Sequence, residues 1–456
     1  MTPGTLAARR TGPEGLPRLL AGMAVDAAPP TLAGHEDRYG PLPTGGGAEL
    51  IELVEQSGLR GRGGADFPTA VKLRAVAGRR SPIVIVNGSE TEPASAKDRL
   101  LLMRLPHLVL DGTVLAARAV GARHAVVRVG ERRVRALDAL QQALAERSDG
   151  IGIELVAGPE GYVTGEETAV VHHLERGIAK PTFIPPRPYE HGLHGRPTLV
   201  QNPETLAQLA LIARYGPEWF RELGSAADPG SVLVTISGAV AAPNVYELAF
   251  GTRMTDLLRA AGGRTEPLQA LLIGGYFGTW ISAARGEQLR LSRAELRSAG
   301  AALGSGVVIA LGESACGLHE TARIISYLAG ESAGQCGPCV HGLAAIAESV
   351  RALAEGQAHS GELARLKRWC EEVRGRGACH HPDGAARFVQ SALAVFEPEL
   401  ERHRHGRCAA PAAGLPIGAP AATPGRRRTA SGVRPPGSAD PVRRRPAPGR
   451  PRRESR

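Results

Sequence analysis

Between Ser57 and Lys72 the chain reads SGLRGRGGADFPTAVK, with Gly61, Gly63 and Gly64 inside four positions and Arg60 and Arg62 interleaved. Without a Cβ, glycine lets backbone N–H groups turn inward and approach a ligand closely. A nest of such groups leading into a helix N-terminus suits a phosphate. The arginines add charge, and Lys72 can reach back to the same ligand. The stretch is neither GxGxxG after a strand nor GxxxxGK(S/T), so the two best-known nucleotide signatures do not apply. Taken alone it reads more readily as a solvated loop, and the segments around it decide between the two.

Those segments alternate in the manner of a layered α/β domain. Glu49–Gln56 has helical spacing and delivers the chain to the glycine loop. Pro82–Asn87, PIVIVN, is a short apolar run ended by Asn-Gly, which predicts a buried strand. GSETEPASAKDR (88–99) follows it directly, and polar groups at the carboxyl end of a buried strand are where open α/β sheets place ligands. Leu108–Val120 predicts a helix, His124–Val129 a strand and Val134–Arg147 a helix. In GYVTGEETAVVHHL (161–174), Gly165, Glu166, Glu167 and Thr168 open a helical pattern. Paired carboxylates there either cap the helix and complement its dipole or hydrogen-bond a ring system in a pocket. His172 and His173 read as helix-face residues. GRPTLVQNPETL (195–206) leads into another helix, with Asn202 and Glu204 as possible site groups.

From Ser231 two strands joined by a Pro-Asn turn, a helix at Met254–Ala261 and the strand-like LLIGGYFG predict a small β-grasp unit. A strand at Gly306–Leu311 precedes helices that run to about His405. The domain division expected is a Pro/Gly-rich extended lead-in at 1–48, a nucleotide domain at 49–228, the β-grasp unit at 229–305, a helical domain at 306–408 and a disordered tail at 409–456.

The net charge of +10 suggests nucleic acid until it is located. Residues 411–456 carry 11 arginines against Asp440 and Glu454, which leaves the rest of the chain close to neutral. The folded part therefore gives no reason to expect nucleic acid, and the tail lacks the apolar residues that offset ordering entropy. No run approaches the length of a membrane span, and the N-terminus lacks a signal-peptide core, so a cytoplasmic protein is expected. The six cysteines all lie from Cys316 onward. Cys336 and Cys339 form a C-x-x-C beside glycines, and Cys379 sits in GRGACHHPDG. Such thiolates can hold zinc or an iron–sulfur cluster, or act as a redox dithiol. Cys370 reads as a core residue.

Together, GLRGRGGADFPTAVK, NGSETEPASAKDR followed by LPH, GYVTGEETA, GRPTLVQNPETL and ESAGQCGPC resemble, in matching order over about residues 40–400, the NADH-binding flavoprotein subunit of respiratory complex I and its relatives in NAD-linked hydrogenases and formate dehydrogenases. The resemblance implies a Rossmann-like FMN domain, a ubiquitin-like β-grasp domain of the soluble-ligand-binding type and a helical bundle with a 4Fe-4S cluster. It implies hydride transfer from NADH to FMN and single-electron exit through the cluster to an iron–sulfur or ferredoxin-like partner. By motif, Gly61, Arg62, Gly63, Gly64 and Lys72 meet the FMN phosphate. Asn87, Glu90, Tyr162, Gly165, Glu166 and Asn202 meet the flavin and ribityl chain. Phe67, Glu92 and Glu167 meet the nicotinamide nucleotide, the two carboxylates being the catalytic candidates. Cys336, Cys339 and Cys379 match three of the four cluster ligands.

The chain departs from that pattern in several places. Ala333 stands at the first cluster cysteine, with Cys408 the candidate substitute and Cys316 a weaker one. Asp66 replaces a glycine, Ser89 an aspartate and Gln201 an asparagine. Ala75 and Arg187 replace the aromatic clamp on adenine, and Arg187 suits a 2′-phosphate, hence NADPH. Two other readings stay open: a flavoprotein reduced by a protein partner, and a scaffold that has lost its redox centres.

Overall fold

A computed structural model describes residues 15–21, 28–408 and 410–417. The first sheet is four parallel strands in the order β3-β2-β1-β4, with β1 at Ile83–Gly88, β2 at His124–Gly130, β3 at Gly152–Gly158 and β4 at Thr198–Gln201. β1 pairs on one side with β2 (Val84 opposite Ala125) and on the other with β4 (Val84 opposite Leu199). Its Ile-Val-Ile-Val run is buried throughout, as expected of a central parallel strand covered on both faces. The chain winds outward from β1 to β3, then returns to place β4 on the other side of β1. The β1/β4 gap is therefore the topological switch point, where the loops diverge and a crevice opens at the carboxyl ends.

Helices Pro106–Val120 and Pro203–Arg221 cross closely over the sheet. A Cβ at Gly112 would lie 2.0 Å from the Leu206 carbonyl oxygen, so this crossing requires glycine. The packing brings the start of the second helix, and Asn202 before it, to the crevice.

The second sheet has the order β6-β5-β9-β7-β8: β5 Ser231–Gly238, β6 Asn244–Ala249, β7 Leu268–Ile273, β8 Thr279–Ser282 and β9 Val307–Gly312. Helix Met254–Ala260 packs on it to complete the β-grasp unit, and β9 is its middle strand. The expected division at 305/306 thus falls ahead of a strand that belongs to the sheet. Helices Gly317–Gly330, Ala344–Ala354, Glu362–Glu372, His381–Val395 and Glu397–Arg404 form the last region around Leu366, Phe388 and Phe396. The architecture is the α/β multidomain arrangement expected, with a β-grasp unit and a helical C-terminal region.

Two expectations are corrected. The lead-in is not merely extended: Leu32–Tyr39 is a helix that buries His35 and Tyr39, and Leu19 and Leu20 join the core of the first domain. At the other end, residues 410–417 are ordered against the helical region. There the Glu320 carboxylate accepts from the Gly414 and Leu415 N–H groups at 2.9 and 3.1 Å. The remainder of the basic tail lies outside the described residues. Among the described residues no single helix is long and apolar enough to cross a membrane.

Candidate functional site

The glycine loop sits beside the switch point. Its turn is closed by Gly61 N–H to the Phe67 carbonyl (2.8 Å) and tied to helix Pro203–Arg221 by Arg62 N–H to Thr205 Oγ1 (2.9 Å). A Cβ at Gly63 would come within 3.3 Å of Asn202 Cβ. Gly64 takes φ +108°, a conformation L side chains avoid, and a Cβ there would touch the Gly304 backbone at 3.8 Å. The Arg62 guanidinium is not at the mouth of the loop. It is buried, donates to the Arg60 and Ser231 carbonyls, lies 3.8 Å from Glu204 and covers the Phe250 ring. Lys72 is half-buried instead beside Glu167, Nζ to Oε2 3.4 Å.

Asn87, at the end of β1, donates Nδ2–H to the Gly165 carbonyl (2.8 Å) and accepts from Ser89 Oγ (2.6 Å). A Cβ at Gly165 would meet Thr91 Cγ2 at 2.9 Å, so this glycine lets the two loops touch. Asn202 caps its helix through Glu204 N–H (3.0 Å) and donates to Asp98 (2.7 Å). Gly61, Gly63, Gly64, Asn87, Gly165 and Asn202 are thus brought around one crevice.

The carboxylates divide into two kinds. Glu90, in the left-handed region at φ 40°, accepts from Asp98 N–H (2.8 Å), Arg99 N–H (3.1 Å) and Ser95 Oγ (2.9 Å), which fixes the start of helix Lys97–Arg104. Burial, then the neighbouring Asp98, push its carboxyl above the usual range. Glu166 caps helix Glu167–Arg176 through the Thr168 and Ala169 N–H groups. Burial raises its pKa too. Glu92 is buried: Oε2 accepts from the Tyr162 hydroxyl (2.9 Å) and the Tyr276 N–H (2.8 Å), and Oε1 from the Ala94 N–H (3.3 Å). Burial pushes its carboxyl up to about 7. Glu92 is therefore a clamp between loops. Glu167 differs from these three. It is partly exposed and flanked by Lys72 and, at 3.9 Å, by Arg187. Phe67 stands 45 % exposed at the rim.

One group at the crevice, Lys97, escaped the sequence reading, and another, Gln201, was noted there only as a replacement. Lys97 is buried, 2.8 Å from Asp98 and 2.9 Å from Glu204. Burial alone would lower its pKa, but these two carboxylates more than offset that and raise it. Gln201, the last residue of β4, is buried with its Nε2 unpartnered. The glycine loop beside Asn202 and this orphaned donor fit a polar, phosphate-bearing ligand such as FMN. A signal for Lys97 was present, since a lysine inside a motif at a strand's carboxyl end is poorly placed for a solvated face. A wider cavity lined by Arg79, Arg118 and Arg123 contains none of these groups.

Cys336, Cys339 and Cys379 line one small cavity with Ala333, Gln335 and His381. Burial, then Cys336, push the Cys339 thiol up to about 12. His381 donates Nε2–H to the Leu328 carbonyl (2.7 Å), and its Nδ1 is buried without a partner. Burial holds the ring neutral, with a pKa of about 4. Cys408 is not at this cavity. It lies with Cys316 and His403, so the expected substitution for Ala333 fails. The reason is geometric: Cys316 caps the start of helix Gly317–Gly330 and Cys336 follows its end, and 14 residues at 1.5 Å separate the two groups by roughly 20 Å. The three matched cysteines and a buried donor nitrogen fit an iron–sulfur cluster.

A parallel sheet with a phosphate-ready crevice at its switch point, joined to a β-grasp unit and a thiol-lined cavity, defines a flavin and iron–sulfur module. Residues 54–211 match the Nuo51 FMN-binding domain, 233–274 the SLBB domain, and 312–403 the NADH-ubiquinone oxidoreductase-F iron-sulfur binding region. The chain is 35% identical to an NADH-quinone oxidoreductase-F protein, the second of that name in Rhizobium meliloti (strain 1021), over 78% of this chain and 88% of that one. It is 34% identical to the NADH-quinone oxidoreductase-F protein of Streptomyces coelicolor, over 79% and 84%. The chain belongs to the NADH-quinone oxidoreductase-F family. A solved NAD+-reducing NiFe hydrogenase is similar in structure, with a TM-score of 0.72 and 31% identity; the match covers 78% of this chain and 62% of that one.

Proposed function

We propose that the chain is an FMN-dependent NADH dehydrogenase component that oxidises NADH and passes electrons through an iron–sulfur centre to iron–sulfur partner proteins. The observation that carries this reading is the convergence of the glycine loop, Asn87, Gly165 and Asn202 on the switch-point crevice, beside the buried Gln201 donor. When bound, FMN supplies the conversion of a two-electron to a one-electron reaction, and the cluster the one-electron exit.

The chain's own groups bind and orient. The N–H groups of Gly63 and Gly64 receive the phosphate, in a turn that the Gly61 N–H closes on the Phe67 carbonyl. Lys97 keeps Asp98 and Glu204 neutralised behind it. Asn87, Gln201 and Asn202 offer hydrogen bonds to the ring and ribityl chain, while Glu90, Glu166 and Tyr162 fix the loops that carry them. At the rim, Phe67 offers a face to the nicotinamide nucleotide and Glu167 accepts from its amide or sugar hydroxyls. Glu92 acts on the nucleotide only through the loops it joins. Cys336, Cys339 and Cys379 would hold three of the irons of a cluster that supplies one-electron transfer, and His381 Nδ1 would be the donor in place of the cysteine absent at Ala333. Histidine ligation of iron–sulfur centres has precedent in Rieske sites.

A cytoplasmic location fits six cysteines that are all free. NADPH is the second reading for the donor, favoured by the half-exposed Arg187 beside Glu167. The test is an anaerobic absorbance and EPR titration with NADH and then NADPH. Bleaching of a flavin band by NADH is expected; protein that binds flavin but is bleached by neither nucleotide overturns the donor assignment.

A further inference from the structure

We infer that Cys316, His403 and Cys408 form a zinc site separate from the iron–sulfur cavity, binding Zn2+ to fasten the C-terminal segment to the helical region. Their ligand atoms all lie within 4.8 Å of one another. Cys316 Sγ is 3.2 Å from His403 Nε2 and 3.3 Å from Glu399 Oε2. Ligands around a tetrahedral zinc at 2.0–2.3 Å stand roughly 3.5 Å apart, so small movements seat the ion. Two thiolates and an imidazole select zinc over magnesium or calcium.

The surroundings are those of a built site. Cys316 and His403 are buried. His403 presents Nε2 to the Cys316 thiol at 3.2 Å, and the Ala354 backbone is a further hydrogen-bond partner of the residue. Glu399, also buried, adjoins Cys316 and accepts from the Leu318 N–H at 3.0 Å, and its carboxylate offers an oxygen for the fourth position. His319 stands edge-on to His403 at 5.0 Å. Binding converts two thiols to thiolates, forms two Zn–S bonds and one Zn–N bond, and releases two protons to solvent.

The site also has something to fasten. Beyond Cys408 the chain returns across the helix start, with Cys316 N–H to the Pro411 carbonyl at 2.7 Å and His319 Nδ1 to the Ala410 carbonyl at 3.2 Å. Cys316 and Cys408 come from opposite ends of the helical region, so one ion closes it.

The experiment is metal analysis of full-length protein purified without a histidine tag, followed by Co2+ exchange. We expect about one zinc per chain in addition to iron, and a thiolate-to-cobalt charge-transfer band after exchange. Cys408→Ser should reduce zinc at least tenfold while flavin content is retained; Cys336→Ser/Cys339→Ser should lose iron and keep the zinc. The proposal is overturned by protein that takes up neither Zn2+ nor Co2+ after reduction. A Cys316–Cys408 disulfide in anaerobically prepared protein also overturns it, as does zinc that follows the Cys336/Cys339 pair. Should Cys408→Ser not fold, the cobalt band of the wild-type protein and its loss in His403→Asn decide. Flavin bleaching is read separately, so failure here leaves the NADH reading untouched.

Discussion

Replacing Glu92 with glutamine isolates the cost of one buried carboxylate. Burial raises this group from 4.5 to about 7, so the folded protein binds its proton more tightly than the unfolded chain does. Its contribution to stability is therefore complete below about pH 4.5 and is lost as pH rises through about 7. A shift of that size corresponds to ~3 kcal/mol lost between pH 4.5 and 8. Glutamine removes the titration, and its carbonyl still accepts from the Tyr162 hydroxyl and the Tyr276 N–H. Its amide faces the Ala94 N–H, where the native acceptor sits at 3.3 Å, so one weak bond worth ~1 kcal/mol is lost. Glu92→Gln should then be slightly less stable than wild type at pH 5 and more stable, by ~2 kcal/mol, at pH 8. Differential scanning calorimetry of flavin-loaded protein at half-unit steps checks this. The difference in Tm should grow with pH by roughly 3–4 °C over that range. Every other titrating group is common to both proteins, so it drops out of the difference. Parallel Tm curves for the two proteins would refute the raised carboxyl and with it the account of Glu92 as an internal clamp.

Lys97→Met leaves the buried Asp98 and Glu204 without their shared cation, which should cost ~3–5 kcal/mol and be visible as a lowered Tm and a flavin-poor preparation. Gly64→Ala places an L residue at φ +108°; ~1–2 kcal/mol of backbone strain, relieved when the flavin-free loop relaxes, should weaken FMN binding about tenfold in a fluorescence titration, lowering the Tm of the flavin-saturated protein with little change in that of the flavin-free one. His381→Ala should convert the reduced-cluster EPR signal to that of a three-iron centre, whereas His381→Cys should retain a four-iron signal and lose nitrogen hyperfine coupling. An unchanged spectrum in both variants would remove His381 from the ligand set.

Much of this arrangement was legible in the chain because local and tertiary demands agreed. PIVIVN could be little other than a buried strand, and Asn-Gly ended it where a ligand edge belongs. β4 was not legible: Thr198–Gln201 is four residues, too short for a period to show, and its identity comes from pairing with β1. Among the carboxylates, the motifs revealed position but not employment. Glu92 and Glu167 look alike in their motifs, yet one is clamped by a tyrosine and a backbone amide and the other faces solvent. Arg62 was misjudged for the same reason, since an arginine in a glycine loop reads as a phosphate ligand until Glu204 and Phe250 are seen behind it. The fate of Cys408 depended on which end of a 14-residue helix the chain returned to, and the bonds that hold it there, to Cys316, His319 and Glu320, carry no sequence signature.

Tyr276 ties the crevice to the C-terminal segment. Its N–H is held by Glu92 at the loops of the crevice, and its hydroxyl donates to the Pro416 carbonyl beyond the last helix. Load applied to one is thus transmitted to the other through a single rigid ring. A fusion protein or surface tether attached close behind residue 417 pulls on the flavin loops, whereas one attached through the N-terminal helix Leu32–Tyr39 does not, and immobilised electrodes built on this protein should be oriented accordingly.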